Sequence, residues 1–228
     1  MAKLLPVWLG LFLVGCGQYP NPNDLSSVPA DRRVEIANRR LEAAESTLQY
    51  KVETKEIDDD RRNALIRELA DDMLTKLDPE VIPDKNQWMY ASLLRVTNRW
   101  KEAEVALKKA VQAAKTSDRR VNDTLKLAQA QAKNNEVAEA LVSANSVMNA
   151  TDIESAPILP AVLYEVVPAA EGKGHDRELA ELLEKAIECH RRVKINPSTD
   201  EGKAFLIARS HHIGLAQTKI AELSARRG

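Results

Sequence analysis

The side chains best suited to metal chemistry gather near the end of the chain. Cys189 precedes one of four histidines, and the histidines are His175, His190, His211 and His212. Zinc is usually held by three or four Cys, His or carboxylate side chains. Adjacent helical residues point about 100° apart, so neither Cys189–His190 nor His211–His212 can chelate as a pair. One member of each pair could still meet across two helices, so metal binding is an alternative function. The other interpretation is that these histidines are exposed to solvent or lie at the edge of the core.

The residue with the most distinctive chemistry, Cys16, follows a short apolar run. Lys3 gives the chain a positive start, and residues 4–14, LLPVWLGLFLV, carry no charge. A membrane-spanning helix needs about 20 apolar residues, and this run is much shorter. A positive start, a short apolar run and a small residue before Cys16 are typical of a secretory signal peptide.

The residues Leu13-Val14-Gly15-Cys16 resemble the lipobox of bacterial lipoproteins. The resemblance implies that residues 1–15 are a signal peptide removed before Cys16, and that the Cys16 sulfur and the new amino group carry acyl chains. Several acyl chains anchor a protein stably because each buried methylene contributes about 0.8 kcal/mol. Gly17 stands where an Asp retains enterobacterial lipoproteins at the inner membrane. We therefore expect the protein to be anchored in the outer membrane with its body in the periplasm, although the inner membrane is not excluded. The alternative to a lipoprotein signal is an ordinary signal peptide.

Composition limits the remaining possibilities. Residues 16–29 are rich in Pro and polar side chains, so they are predicted to be the lipidated Cys and a flexible tether. The chain has 33 Lys and Arg against 34 Asp and Glu, a balance that gives no reason to expect nucleic-acid binding. With Cys16 lipidated, Cys189 is left alone, so we expect no internal disulfide and a buried thiol.

The body of the chain predicts an all-α fold. Ala, Leu, Glu, Arg and Lys are abundant, and apolar residues recur at spacings of three and four. Residues 30–78 are the predicted N-terminal helical segment. It is either one long helix or a hairpin whose second helix is capped by the acidic run 58–60. We favour the long helix because no Gly or Pro interrupts the segment.

Two similar helical pairs follow in residues 84–150. Small residues and turn residues recur 37 positions apart, at Ala91/Ala128, Asn98/Asn135 and Ala103/Ala140. This region resembles a tetratricopeptide repeat (TPR) array, in which units of about 34 residues pack two antiparallel helices. The resemblance implies a TPR-like array over residues 84–228. Asn replaces the usual turn Gly, most paired aromatics are missing and the spacing is longer, so a non-repetitive helical bundle remains the alternative.

A third pair contains a broad apolar stripe between prolines. Pro168 is expected to kink or end its helix. The candidate partner-binding residues are Ile158, Leu159, Val162, Leu163, Tyr164 and Val166. The alternative is that this stripe is ordinary core, since apolar residues at helical spacing are normally buried. A last helix over 199–225 is expected to cap the array with a polar outer face.

The motifs of serine hydrolases, P-loop enzymes, zinc proteases and c-type haem proteins do not occur. We therefore predict a non-catalytic protein without a cofactor: a membrane-anchored periplasmic scaffold or adaptor. Stacked helical pairs form a groove that binds peptides or helices. The expected partners are other envelope proteins, and the membrane through the lipid anchor. A permanent structural subunit of a large envelope complex is an alternative, and the oligomeric state is open.

Overall fold

A computed structural model of the protein describes residues 24–150 and 156–226, and within these ranges every regular element is a helix. The predicted all-α class is confirmed. Cys16, the signal peptide and most of the tether lie outside the described residues. Among the helices described, none combines the length and apolar character needed to cross a membrane.

Residues 30–78 form a hairpin of two helices, α1 (Arg33–Glu53) and α2 (Asp59–Leu74). Lys55 between them has a left-handed backbone with φ of 61°. The Asp58 carboxylate accepts a hydrogen bond from the Arg61 backbone N–H at 2.7 Å, which caps α2. The prediction of one long helix is wrong, because the left-handed Lys55 and the cap at Asp58 reverse the chain without Gly or Pro.

The next four helices form two antiparallel pairs. They are α3 (Gln87–Val96), α4 (Trp100–Ala113), α5 (Ser117–Lys133) and α6 (Val137–Ser146). The turns within the pairs contain Asn98 at φ 60° and Asn135 at φ 68°, a left-handed backbone that Asn tolerates in place of Gly. The short turns make the neighbouring helices antiparallel. The helix boundaries that flank these two turns keep the 37-residue offset seen in the sequence, since α3 ends at Val96 and α5 at Lys133, and α4 begins at Trp100 and α6 at Val137.

A helix that contains prolines opens the third pair. It consists of α7 (Ile158–Ala161), a π-helical turn (Val162–Val166) and α8 (Val167–Ala170). Pro168 has no N–H, and in an α-helix its ring would collide with the carbonyl four residues back. The wider turn, closed by the Val167 N–H on the Val162 carbonyl, accommodates this ring. Pro168 therefore does not end the helix.

The chain finishes with α9 (Asp176–Arg192), which packs against α10 (Asp200–Ala225). Buried side chains form two clusters that meet at α5. One cluster runs from α1 to α5 and contains Leu94, and the other runs from α5 to α10 and contains Leu183. The outer face of α10 exposes Ile207, so the expectation of a polar outer face is wrong.

Candidate functional site

A cleft of about 410 Å³ opens where α1, α3, α5 and the start of α4 meet. Helices α1, α3 and α5 each contribute residues three or four positions apart, which lie on one face of a helix. On α3 the cleft face carries Trp88 and Arg95, whereas Ala91 and Leu94 face the core. The lining residues that matter most are Glu45, Trp88, Arg95, Trp100, Lys126 and Gln129.

Arg95 joins three helices at one end of the cleft. Its Nε and Nη2 donate to the Gln129 Oε1 at 2.9 and 2.6 Å, and Nη2 also donates to the Glu165 Oε2 at 2.5 Å. The Arg95 side chain is only 17% exposed, and this burial lowers its pKa against the opposing effect of Glu165. Two acceptors hold this guanidinium rigidly, and the Glu165 carboxylate compensates its positive charge.

Lys126 adds a second positive charge with no ion pair or hydrogen bond within residues 24–150 and 156–226. Its side chain is half-buried on α5. Burial lowers the pKa of Lys126, and the positive charges of Arg95 and Arg119 lower it further. A partly desolvated ammonium without a partner is poorly satisfied until an anionic group approaches.

Glu45 lines the same cleft from α1, and the described residues give its carboxylate no hydrogen bond or ion pair. Partial desolvation raises the pKa of Glu45, and Arg62 opposes that effect. The cleft therefore offers both an unpaired acceptor and an unpaired donor, a combination that suits the polar backbone and charged side chains of a peptide.

Two indole rings supply the apolar part of the cleft. The guanidinium carbon of Arg119 lies 3.5 Å from the ring centroid of Trp88, and two 2.8 Å hydrogen bonds from Arg119 to Asp123 fix that guanidinium. The Lys133 Nζ lies 5.8 Å from the ring centroid of Trp100. Tryptophan and arginine held rigid in this way are the side chains most often found at the energetic centres of protein interfaces.

Five of the six predicted partner-binding residues are buried in the core: Ile158, Leu159, Val162, Leu163 and Val166. Helices α5 and α9 both pack against this segment, which is why its apolar stripe is broad. The prediction is therefore corrected for these five residues. Only Tyr164 points outward, with 51% of its surface exposed.

The histidines separate into buried and exposed members. His190 on α9 is 2% exposed, and its ring centroid lies 5.9 Å from that of His212 on α10. His175 lies apart beside Glu178, and His211 faces solvent. One member of each pair thus meets across two helices. In the part of the chain that the structure describes, however, no group of three or more His, Cys, Asp or Glu is placed to hold a metal ion.

Cys189 is buried, as predicted, with 1% of its surface exposed. Its Sγ donates to the Met148 carbonyl oxygen at 2.7 Å and accepts from the Arg192 Nη2 at 2.8 Å. Burial raises the pKa of this thiol, while Arg192 opposes the shift. A neutral, enclosed thiol of this kind packs as part of the core.

The sequence contains a weak sign of the cleft that periodicity alone does not reveal. Lys126 and Gln129 interrupt a run of α5 residues that are buried on either side of them. Comparison with known proteins adds nothing further, since no family model matches the chain and no curated protein or solved structure is significantly similar to it.

Proposed function

We propose that the protein is a lipid-anchored periplasmic scaffold that binds a segment of a partner protein in the cleft between α1, α3 and α5. The observation that carries this proposal is the unpaired Lys126 beside the fixed guanidinium of Arg95 and the two indoles. The unpaired Lys126 ammonium recognises a carboxylate, and the indoles bury the apolar atoms next to it. The expected ligand is an extended segment with an acidic side chain or a free carboxyl terminus.

The helical pairs support this proposal through their order. Helices α1, α3 and α5 are the first members of successive pairs, and they contribute neighbouring faces to the cleft. A TPR-like array uses its first helices in the same way to form a binding groove. The 37-residue offset of Asn98 and Asn135, both left-handed, favours such an array over an irregular bundle.

Photo-cross-linking in the native envelope tests the binding site. A photoreactive residue placed at Glu42, which lines the cleft, is expected to capture a partner peptide that contains a carboxylate. Tyr50 lies on the same helix, is 64% exposed and is outside the cleft, so a photoreactive residue there is the matched control. The charge reversal Lys126→Glu should reduce the Glu42 cross-link at least tenfold. A cross-link that survives Lys126→Glu, or that forms equally from Tyr50, would overturn the proposal.

The proposed membrane anchor is tested separately. Growth with labelled palmitate should label the protein expressed from the full sequence. Cys16→Ser should abolish both the label and the removal of residues 1–15. Cys189→Ser is the control, because its thiol is buried and should not contribute to labelling. Label that persists in Cys16→Ser contradicts the lipoprotein assignment and leaves the cleft proposal standing.

A permanent subunit of an envelope complex is the second candidate function, favoured by apolar side chains exposed on α10. In that case, partner cross-links would come from α10 and would not depend on Lys126.

A further inference from the structure

The last helix is unusually poor in charge for a surface helix. Between residues 204 and 218 the only charged side chain is Arg209, although 29% of the whole chain is charged. Arg209 turns inward: its guanidinium lies 4.9 Å from the centroid of Phe205 and donates to the Val193 carbonyl at 2.5 Å. The solvent-facing side of these turns therefore carries no charge.

The exposed residues of this stretch form a continuous stripe. Ile207 is 73% exposed and Leu215 is 39% exposed. The other exposed residues at matching spacing are Ala204, His211, Gly214 and Thr218. Beside the stripe, Leu215 and Tyr164 border an apolar groove of about 240 Å³. An uncharged helix face next to an apolar groove is typical of a surface that another protein covers.

Gly214 is a second indication that another protein covers this face of α10. A Cβ added at this residue would meet nothing within 4 Å, so packing within the chain does not require glycine there. Glycine inside a helix costs about 1 kcal/mol relative to alanine. The missing side chain does, however, allow another backbone to approach closely at the centre of the stripe.

The charges at the two ends of the stripe indicate what covers it. The first turn of α10 carries Glu201 and Lys203, and its last turn and C-cap carry Glu222 and Arg226. Within the chain Lys203 pairs with Asp200, Glu222 with Lys219 and Arg226 with Glu171, and these half-exposed side chains can also face a neighbouring molecule. If a second α10 ran antiparallel and crossed the stripe between His211 and Gly214, Lys203 would face Glu222 and Glu201 would lie near Arg226. A parallel copy would place like charges opposite each other. An uncharged centre with complementary charges at its rim has the composition of a specific interface.

We propose that the exposed face of α10 joins two copies of this chain in an antiparallel, twofold-symmetric contact. In such an interface the same patch serves both partners. None of its residues lines the cleft, so self-association is independent of the proposed peptide binding. The assembly would present two clefts, which strengthens attachment to a partner with two binding segments.

Cross-linking of full chains that each carry one added surface cysteine tests the contact in the envelope. His211→Cys lies close to the symmetry axis and should give a product of twice the chain mass with a short bismaleimide. Glu181→Cys is the matched control, since its side chain is 54% exposed on α9 and outside the stripe. We expect at least tenfold more dimer from His211→Cys. Equal yields, or a product of any other mass, would overturn the proposal.

Two further variants test the direction and the apolar centre of the contact. Co-expressed Lys203→Cys and Glu222→Cys chains should cross-link to each other, and neither should cross-link to itself; the reverse pattern contradicts an antiparallel contact. Ile207→Lys in the His211→Cys chain should abolish the dimer. The chain itself should stay folded, because residue 207 faces solvent in the single chain. A dimer that survives this added charge also contradicts the proposal.

Discussion

Three neighbouring side chains between α9 and α10 have buried nitrogen atoms without a well-formed hydrogen bond. They are both ring nitrogens of His190, the Nε of Arg209 and the Nδ1 of His212. Burial lowers the pKa of His190 to about 4, helped by the charges of Arg209 and His212 and partly offset by the backbone of Ala156. The ring is therefore neutral at physiological pH, since charging it there would place an unpaired charge in the core.

This depressed pKa predicts acid sensitivity. An unfolded histidine has a pKa of about 6.5, so between pH 6.5 and 4 the unfolded chain binds a proton that the folded chain excludes. Stability is therefore lost as the pH falls through this window, by about 2 kcal/mol between pH 7 and 5 from His190 alone. Urea unfolding of His190→Phe should show a correspondingly smaller loss. A pH dependence of His190→Phe equal to that of the wild-type protein would contradict the prediction.

Two glycines of α10 provide a matched test of local packing. A Cβ at Gly202 would overlap the Asn196 carbonyl oxygen, whereas one at Gly214 meets open space. We expect Gly202→Ala to destabilise the protein by about 1–3 kcal/mol, the cost of forcing atoms apart. Gly214→Ala should stabilise it by up to about 1 kcal/mol through helix propensity. Urea unfolding in dilute solution measures both, and similar effects of the two variants would show that the Asn196 contact is unimportant.

At the scale of helices, the repeated turns predict that the same substitution changes the stability equally at turn positions 37 residues apart. Asn98 and Asn135 are both exposed and left-handed, so Ala at either position should cost about 1 kcal/mol, and Gly should stabilise. Asn122 lies inside α5, and there Gly should destabilise. Denaturant unfolding of the five variants measures the sign and the size of each change in the free energy of unfolding. Responses that differ by more than about 1 kcal/mol between Asn98 and Asn135 would contradict equivalent turns.

Sequence periodicity predicts most of the helices because it reports a local property. The faces of α4 and α6 that contain Ala103 and Ala140 are buried as expected. The hairpin at Lys55 escapes such reasoning, because a left-handed lysine is selected by how α1 and α2 pack. Pro168 likewise signals a break, yet the π-helical turn keeps the helix continuous. Periodicity indicates which face is apolar and cannot say how the chain resolves a local conflict.

The sequence gives only a weak sign of the cleft, for a related reason. Arg95, Gln129 and Glu165 belong to three successive helical pairs, and only their packing brings these polar groups together. The apolar stripe at 158–166 was the more visible feature of the sequence, but a core segment and an apolar binding surface have the same pattern. The structure distinguishes them because it shows which faces of this helix are covered by α5 and α9.

At the scale of the whole molecule, the two buried clusters predict how the fold responds to damage. In a repeat array each unit contacts its neighbours only, so stability is roughly a sum of local terms and parts can unfold separately. In a bundle with one shared core, a cavity anywhere lowers the stability of every helix. The clusters meet at α5, which makes α5 the expected boundary between the two parts.

Two leucine truncations separate these cases. Leu94 and Leu183 are both fully buried, one in each cluster, and either change to Ala should cost about 2–5 kcal/mol locally. Leu183→Ala should speed amide hydrogen exchange in α9 and the adjoining helices of its cluster, while α1 to α3 keep their wild-type protection. Leu94→Ala should do the reverse. Uniform loss of protection across both clusters in either variant would indicate a single cooperative bundle, and the array on which the proposed binding groove depends would then lose its support.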